Sequence, residues 1–231
     1  MSKTNQELKK IVLERGSAGA SENERIYKKF FEDWLKKNEY IYQRFNLDFN
    51  NRMLDIGCTY GHNMIHFAED SVGIEKNSKA AEFARSLGLN VIDINAEDDL
   101  ESISEQFDLI WCTDFLVHLI SPYKFLSDCR KLLKAGGRIV IQIPLMSILN
   151  KHRSSCHFYA FNKKSLIYLL EMAGYKVVKT SGLIRRLPDW INYLMEPIFQ
   201  LWGGNIWLLI EKEPQTPVNF SKVYLPKWFK T

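Results

Sequence analysis

The sequence predicts an α/β fold, a doubly wound and mostly parallel sheet with helices on both faces, and three observations predict it. From Arg52 onward short apolar runs alternate with helical patterns, and parallel strands need such crossover connections. The first of those runs ends in a glycine-containing turn, Asp55-Ile56-Gly57-Cys58-Thr59-Tyr60-Gly61. The 231 residues, 46% hydrophobic and 25% charged, are of ordinary globular composition and long enough for one large core.

In chain order, Ser21 and Glu24 form a capping box, and Ile26, Phe30, Phe31, Trp34, Leu35, Ile41 and Phe45 follow at helical spacing, which predicts a helix over Ser21 to Phe45. Met1 to Ala20 carries little periodicity. Strands are predicted at Met53 to Ile56, Val72 to Glu75, Leu89 to Ile94, Phe107 to Cys112 and Arg138 to Ile143. A helical pattern containing Met64, Ile65, Phe67 and Ala68 starts directly after the glycine turn. Another helix is punctuated by Ser121 as N-cap, Pro122 at its first position, and Gly136 and Gly137 as its stop. Pro144 to Phe161 shows no period, and so long an irregular connection is usually functional. A helix over Asn162 to Ala173 and strands at Tyr175 to Thr180 and Asn205 to Glu211 complete the pattern, with an aromatic insertion at Trp190 to Trp202 between the two strands. The organisation expected is one domain, 1–231. Residues 1–50 form a helical extension, 51–143 a nucleoside-binding half, and 144–231 an acceptor-binding half with a tail.

The net charge of +4 is dispersed without a block of about five or more like charges, so nucleic acid is allowed but not indicated. Met1 to Arg15 lacks the apolar stretch of roughly seven or more residues that a secretory signal needs, which predicts a cytoplasmic location. Glu196, Pro197, Gln200 and the Gly203-Gly204-Asn205 turn interrupt Leu194 to Ile210, so no transmembrane segment is expected. Cys58, Cys112, Cys129 and Cys156 lack the close pairing of zinc or redox sites, and read as reduced thiols without a metal.

A glycine turn at a strand's carboxyl end lets a ligand approach the backbone, and an acid at the end of the next strand, Glu75, is suited to accept from both hydroxyls of a ribose. A dinucleotide fingerprint needs glycines at its first, third and sixth positions. Here those are Gly57, Thr59 and His62, so the fingerprint fails. No Gly-Lys-Ser or Gly-Lys-Thr follows for a Walker-type phosphate loop.

Over about Arg52 to Glu211 the chain resembles the class I S-adenosylmethionine-dependent methyltransferases, of the small-molecule type. Asp55, Gly57 and Gly61 fit their first motif. Glu75, Asn95-Ala96-Glu97, Phe107-Asp108-Leu109-Ile110 and Leu132-Leu133-Lys134-Ala135-Gly136-Gly137 follow in the family's order. The sequence departs where Thr59 replaces a frequent middle glycine and Asn95 a frequent aspartate. The resemblance implies a Rossmann-like seven-stranded sheet whose last strand runs antiparallel, with S-adenosyl-L-methionine as cofactor. It implies cofactor-binding positions at Asp55, Gly57, Cys58, Gly61, Glu75, Lys76, Asn95, Ala96, Glu97, Thr113 and Asp114.

His118 falls where such enzymes often carry a histidine, and serves either acceptor chemistry or the packing of the sheet edge. His157 lies in a segment resembling one that lines acceptor pockets. These two are the candidate catalytic residues. Asp55 either contacts the cofactor or braces the loop. The function implied is in-line transfer of a methyl group to a small-molecule acceptor. The other readings are a nucleic-acid or protein methyltransferase and a non-catalytic binding protein. Cys112-Thr113-Asp114-Phe115 lacks the Asn/Asp-Pro-Pro-aromatic motif of base-amino methylation, and no Pro-Cys pair supplies a cytosine C5 nucleophile. Arg185 and Arg186, and the tail Val223 to Phe229, are further candidates for anion or surface contact, with solvation and packing as the plainer readings.

Overall fold

The computed structural model describes residues 38–145, 157–181, 191, 194–195 and 205–213. Outside them lie Met1 to Ala20, most of the helix expected from Ser21, Cys156, most of the Pro144 to Phe161 connection, Arg185, Arg186, nearly all of the aromatic insertion and the tail.

Seven strands form one sheet: β1 (Met53–Ile56), β2 (Val72–Ile74), β3 (Asn90–Ile92), β4 (Phe107–Thr113), β5 (Leu133–Pro144), β6 (Tyr175–Ser181) and β7 (Asn205–Lys212). Their order is β3-β2-β1-β4-β5-β7-β6. The first five run parallel, with Leu54 opposite Val72 on one side and Ile110 on the other. β7 is antiparallel to both β5 and β6. The Rossmann-like sheet and its antiparallel last strand are thus as the sequence implies. Chain order reverses between β1 and β4, and such a reversal opens a crevice at the strands' carboxyl ends.

Helices α1 (38–45), α2 (Ser78–Ser86), α3 (Pro122–Leu132) and α4 (Lys163–Met172) cover the sheet. Two apolar clusters lie on its opposite faces, and successive strand residues alternate between them. Met53, Leu109, Trp111 and Val140 join Ile41, Tyr42, Phe45, Ala81 and Ala84. Leu54, Ile110, Cys112, Ile139 and Ile141 join Phe125, Leu126, Leu166 and Leu170. Burial on both faces is why these strands read as continuous apolar runs. Among the described residues no helix is long and apolar enough to cross a membrane.

Two expectations are corrected. In place of the helix expected after the glycine turn there is only a short 3-10 turn, Met64–His66. Gly61 to Ile65 are all buried, so the segment lacks the polar face that a helix lying on a sheet presents to water. α3 ends at Leu132, before the expected glycine stop, and the chain enters β5 at once. The ladder slips there, Phe107 pairing with Leu133 but Leu109 with Arg138, and the extra residues bulge out around Gly136 at φ 75°.

Gly73 sits mid-strand in β2 because a larger residue has no room. A Cβ there would lie 2.6 Å from Cys58 Sγ and 2.7 Å from Met64 Sδ, side chains that underpin the glycine turn. Gly73→Ala should cost about 1 to 3 kcal/mol in denaturant unfolding. The cost should shrink in a Cys58→Ala background, and equal costs in both backgrounds would show that the contact is unimportant.

Candidate functional site

The turn after β1 passes through left-handed backbone at alternate residues: Gly57 (φ 72°), Thr59 (φ 52°) and Gly61 (φ 76°). The amides of Gly57 and Cys58 both donate to the Ile74 carbonyl, at 2.9 and 3.0 Å, so the turn is fastened to the end of β2. Thr59 takes the glycine-like conformation despite its branched side chain, which costs on the order of 1 to 3 kcal/mol. Its amide donates to Glu75 Oε2 at 3.0 Å, and its hydroxyl to the Gly57 carbonyl at 3.3 Å. The carboxylate that follows β2 thus accepts from the turn at its strained residue.

Glu75 holds a second segment as well. The Asn77 amide donates to Oε1 at 2.8 Å, and the Asn77 side chain caps α2 by accepting from Lys79 and Ala80. After β3, Asn95 forms a local knot. Its carbonyl Oδ1 accepts from the Glu97 amide, its Nδ2 donates to the Asp98 carboxylate, and its backbone amide donates to Asp99 Oδ2. Glu97 Oε1 accepts from the amides of Ile120 and Ser121, at 2.6 and 2.9 Å. Ser121, expected to cap α3 with its hydroxyl, makes no such bond. The carboxylate of Glu97 instead binds the two amides just ahead of the helix from a distant loop, where a negative charge also suits the helix dipole.

These loops enclose a cavity of about 470 Å³ lined by Gly57, Ile74, Glu75, Lys76, Ile94, Asn95, Ala96, Glu97, Phe115, His118, Leu119 and Phe158. Of the residues singled out in the sequence, Gly57, Glu75, Lys76, Asn95, Ala96, Glu97 and His118 come together on its wall. The others are not among its lining residues. The Cys58 side chain is fully buried against Gly73, with its thiol pKa pushed far up by burial. Gly61 abuts Leu89, whose Cδ1 would be 2.2 Å from a Cβ there. Thr113 is the last residue of β4.

Asp114, next in the chain, also has left-handed backbone, at φ 52°. Its amide donates to the Gln142 carbonyl at 2.8 Å, and its Oδ1 accepts from Gln142 Nε2 at 2.9 Å. Burial raises its carboxyl pKa, while the Gln142 hydrogen bond and the charges of His118 and His157 pull it back. The imidazoles of His118 and His157 meet edge to face, with ring centroids 4.8 Å apart. The segment carrying His157 is tied down by the Phe158 amide donating to the Val117 carbonyl and the Tyr159 hydroxyl donating to the Ile120 carbonyl.

Asp55 lies beneath the turn at 1% exposure. Burial pushes its carboxyl up to about 7, the hydrogen bond from Asn63 opposes the rise, and the charge of Glu75 adds to it. Sequence reasoning missed Phe115 and Leu119 on the cavity wall and the polar partners Asn38, Tyr42, Asn63 and Gln142, and it reached Phe158 only through the segment that carries His157. Gln142 had a visible signal, a polar residue inside Ile139-Val140-Ile141-Gln142-Ile143. Asn63 had none.

Residues 54–141 match the model of the methyltransferase domain. The chain is 25% identical over 160 residues to the ubiquinone biosynthesis O-methyltransferase of Aliivibrio fischeri. That match takes in 64% of this chain and 66% of that enzyme, so the chain spans just under two thirds of the relative's length. An uncharacterized protein of Methanocaldococcus jannaschii is 26% identical over 184 residues, covering 72% of this chain and 87% of its own. Among solved structures, a SAM dependent methyltransferase from Archaeoglobus fulgidus superposes with a TM-score of 0.59 at 21% identity, over 81% of this chain and 98% of that one.

A raised carboxyl pKa means that between pH 3.8 and about 7 the folded chain keeps a proton on Asp55 that the unfolded chain has released. The group's contribution to stability is present below that window and lost as pH climbs through it. Asp55→Asn should leave stability at pH 4 nearly unchanged and raise it at pH 8, by up to about 4 kcal/mol. Unfolding midpoints recorded across the window check this, and an equal change at both ends would contradict it.

Proposed function

Because this chain belongs to the class I S-adenosylmethionine-dependent methyltransferases, we propose that it transfers a methyl group from S-adenosyl-L-methionine to a small-molecule acceptor in the cytoplasm. The observation that carries the reading is the cavity at the carboxyl ends of β1, β2 and β3, with Gly57 and Glu75 on its wall. The residues fit such a cofactor. Gly57 brings bare backbone to the cavity, and Glu75, although it accepts from Thr59 and Asn77, retains a free lone pair on each oxygen for two ribose hydroxyls. Asn95 and Ala96 present a polar side chain and a small one to the same wall, where an adenine edge and face need them.

S-adenosylmethionine, when bound, supplies an electrophilic methyl carbon on a sulfur leaving group. Gly57, Glu75, Asn95 and Ala96 would hold that group, which would give up its methyl carbon to an acceptor lone pair in exchange for the carbon-sulfur bond. The work left for the chain is to hold both partners in line and to take the acceptor's proton. We assign that proton to His118, which stands on the cavity wall with His157 packed edge to face against it. Phe115, Leu119 and Phe158 make the same wall apolar, which suits an acceptor with an aromatic or aliphatic body. The Aliivibrio relative, an O-methyltransferase of ubiquinone biosynthesis, supports a hydroxyl on a small molecule.

Calorimetric titration with S-adenosylhomocysteine tests the cofactor half of the proposal, and no binding at high micromolar concentration would sink it. Glu75→Ala should weaken that binding about tenfold or more, since hydrogen bonds to a charged group contribute about 1.5 to 3 kcal/mol. Glu75→Gln, which keeps an acceptor, should lose less. His118→Ala and His157→Ala should retain cofactor affinity while turnover on an acceptor found by screening metabolite pools falls about a hundredfold. Unchanged turnover would remove both imidazoles from the chemistry.

A further inference from the structure

A continuous chain of buried side-chain hydrogen bonds runs from α1 to the root of the glycine turn. Asn38 Nδ2 and the Tyr42 hydroxyl both donate to Asn63 Oδ1, at 2.7 and 2.8 Å. Asn63 Nδ2 then donates to Asp55 Oδ2 at 3.1 Å. All four residues are 2% exposed or less. Two donors on its oxygen leave the Asn63 amide only one orientation, with the NH2 group toward Asp55. Asn63 also precedes the 3-10 turn, where an asparagine ordinarily caps the following amides, yet its side chain makes no cap bond. Its whole hydrogen-bonding capacity is directed inward.

We propose that Asn63 is a positioning residue: it holds the Asp55 carboxylate in one orientation beneath the cofactor loop and makes the docking of α1 part of the cofactor site. The inference rests on the reading of Asp55 to Gly61 as that loop. Simple filling of space does not account for the arrangement, because burying four polar groups is costly, the more so with Asn38 Oδ1 left without a hydrogen-bond partner among the described residues, and an apolar cluster of the same size would pack as well. The titratable groups facing Asp55 are Tyr42 on α1, Cys58 on the turn, Glu75 after β2 and Cys112 on β4. Burial keeps the phenol and both thiols neutral, so Glu75 is the charge that Asp55 feels and Asn63 the donor that offsets it.

Asn63→Asp is isosteric, keeps oxygen acceptors for Asn38 and Tyr42, and replaces the donor with a second carboxyl. Tyr42→Phe keeps the aromatic packing and removes one donor. In the unaltered chain, ionisation of Asp55 should end the fall of the unfolding midpoint at a break near pH 7 and put a step at the same pH into the affinity for S-adenosylhomocysteine. Asn63→Asp should move both upward by at least about one pH unit, since two carboxyls so close share a proton. Tyr42→Phe should weaken S-adenosylhomocysteine binding about threefold or more with its folded spectrum retained, an effect of about 0.7 kcal/mol. An unmoved break and step together with an unchanged affinity in Tyr42→Phe would overturn the proposal, and the second variant decides it if the first fails to fold. Lack of binding by the unaltered chain would count against the cofactor reading alone, because the unfolding midpoints still report whether Asn63 governs Asp55.

Discussion

Glu75 ties together two loops that sterics would otherwise let part. One carboxylate oxygen accepts the amide of Thr59, a β-branched residue in left-handed backbone, and the other accepts the amide of Asn77, which in turn caps α2. The shape of the turn after β1 and the start of the helix after β2 are thus set by a single side chain at the end of the second parallel strand. The two amides it accepts hold the carboxylate in place on the cavity wall. Preorganisation of this kind lowers the ordering cost of binding.

Glu97 repeats the device one strand further along. It reaches from the loop after β3 to the two amides just ahead of α3, Ile120 and Ser121, so the loop is fastened to the start of the helix beside the cavity. Both carboxylates are therefore structural acceptors of main-chain donors and also part of the cavity wall, and these roles are compatible since a carboxylate has more lone pairs than either role uses.

The sheet was legible from the sequence because burial on both faces turns parallel strands into apolar runs, and Met53 to Ile56 was bounded to the residue. Asn162 and Pro122 marked helix starts by local chemistry, and the structure has helices beginning beside them. The glycine turn and Glu75 were legible because a close backbone approach and a strand-end acid leave a spacing in the sequence. What stayed hidden has a common cause: it depends on contacts between distant segments. Asn63 meets Asp55 only after the chain turns through Gly61, and meets Asn38 only once α1 docks. The expected helix after the turn failed for the same reason, as tertiary burial on every side overrode a local apolar pattern. Phe158 reaches the cavity through an amide bonded to Val117, a pairing that no periodicity announces.

The two ends of the cavity differ in the side chains they gather, and the proposed chemistry gives a reason. Around Gly57 the acids Glu75 and Glu97 are anchored by backbone amides, which fixes their position. Around His118 the cavity gathers titratable side chains: two imidazoles in edge contact, and a carboxyl at Asp114 that burial raises and that the Gln142 hydrogen bond and those imidazoles draw back. A displacement at carbon asks the donor side for alignment alone, because no proton moves there. It asks the acceptor side for a base whose affinity for a proton can shift as the bond forms. A fixed donor end and a titratable acceptor end meet those two demands, and the fold separates them by placing one after β2 and β3 and the other after β4.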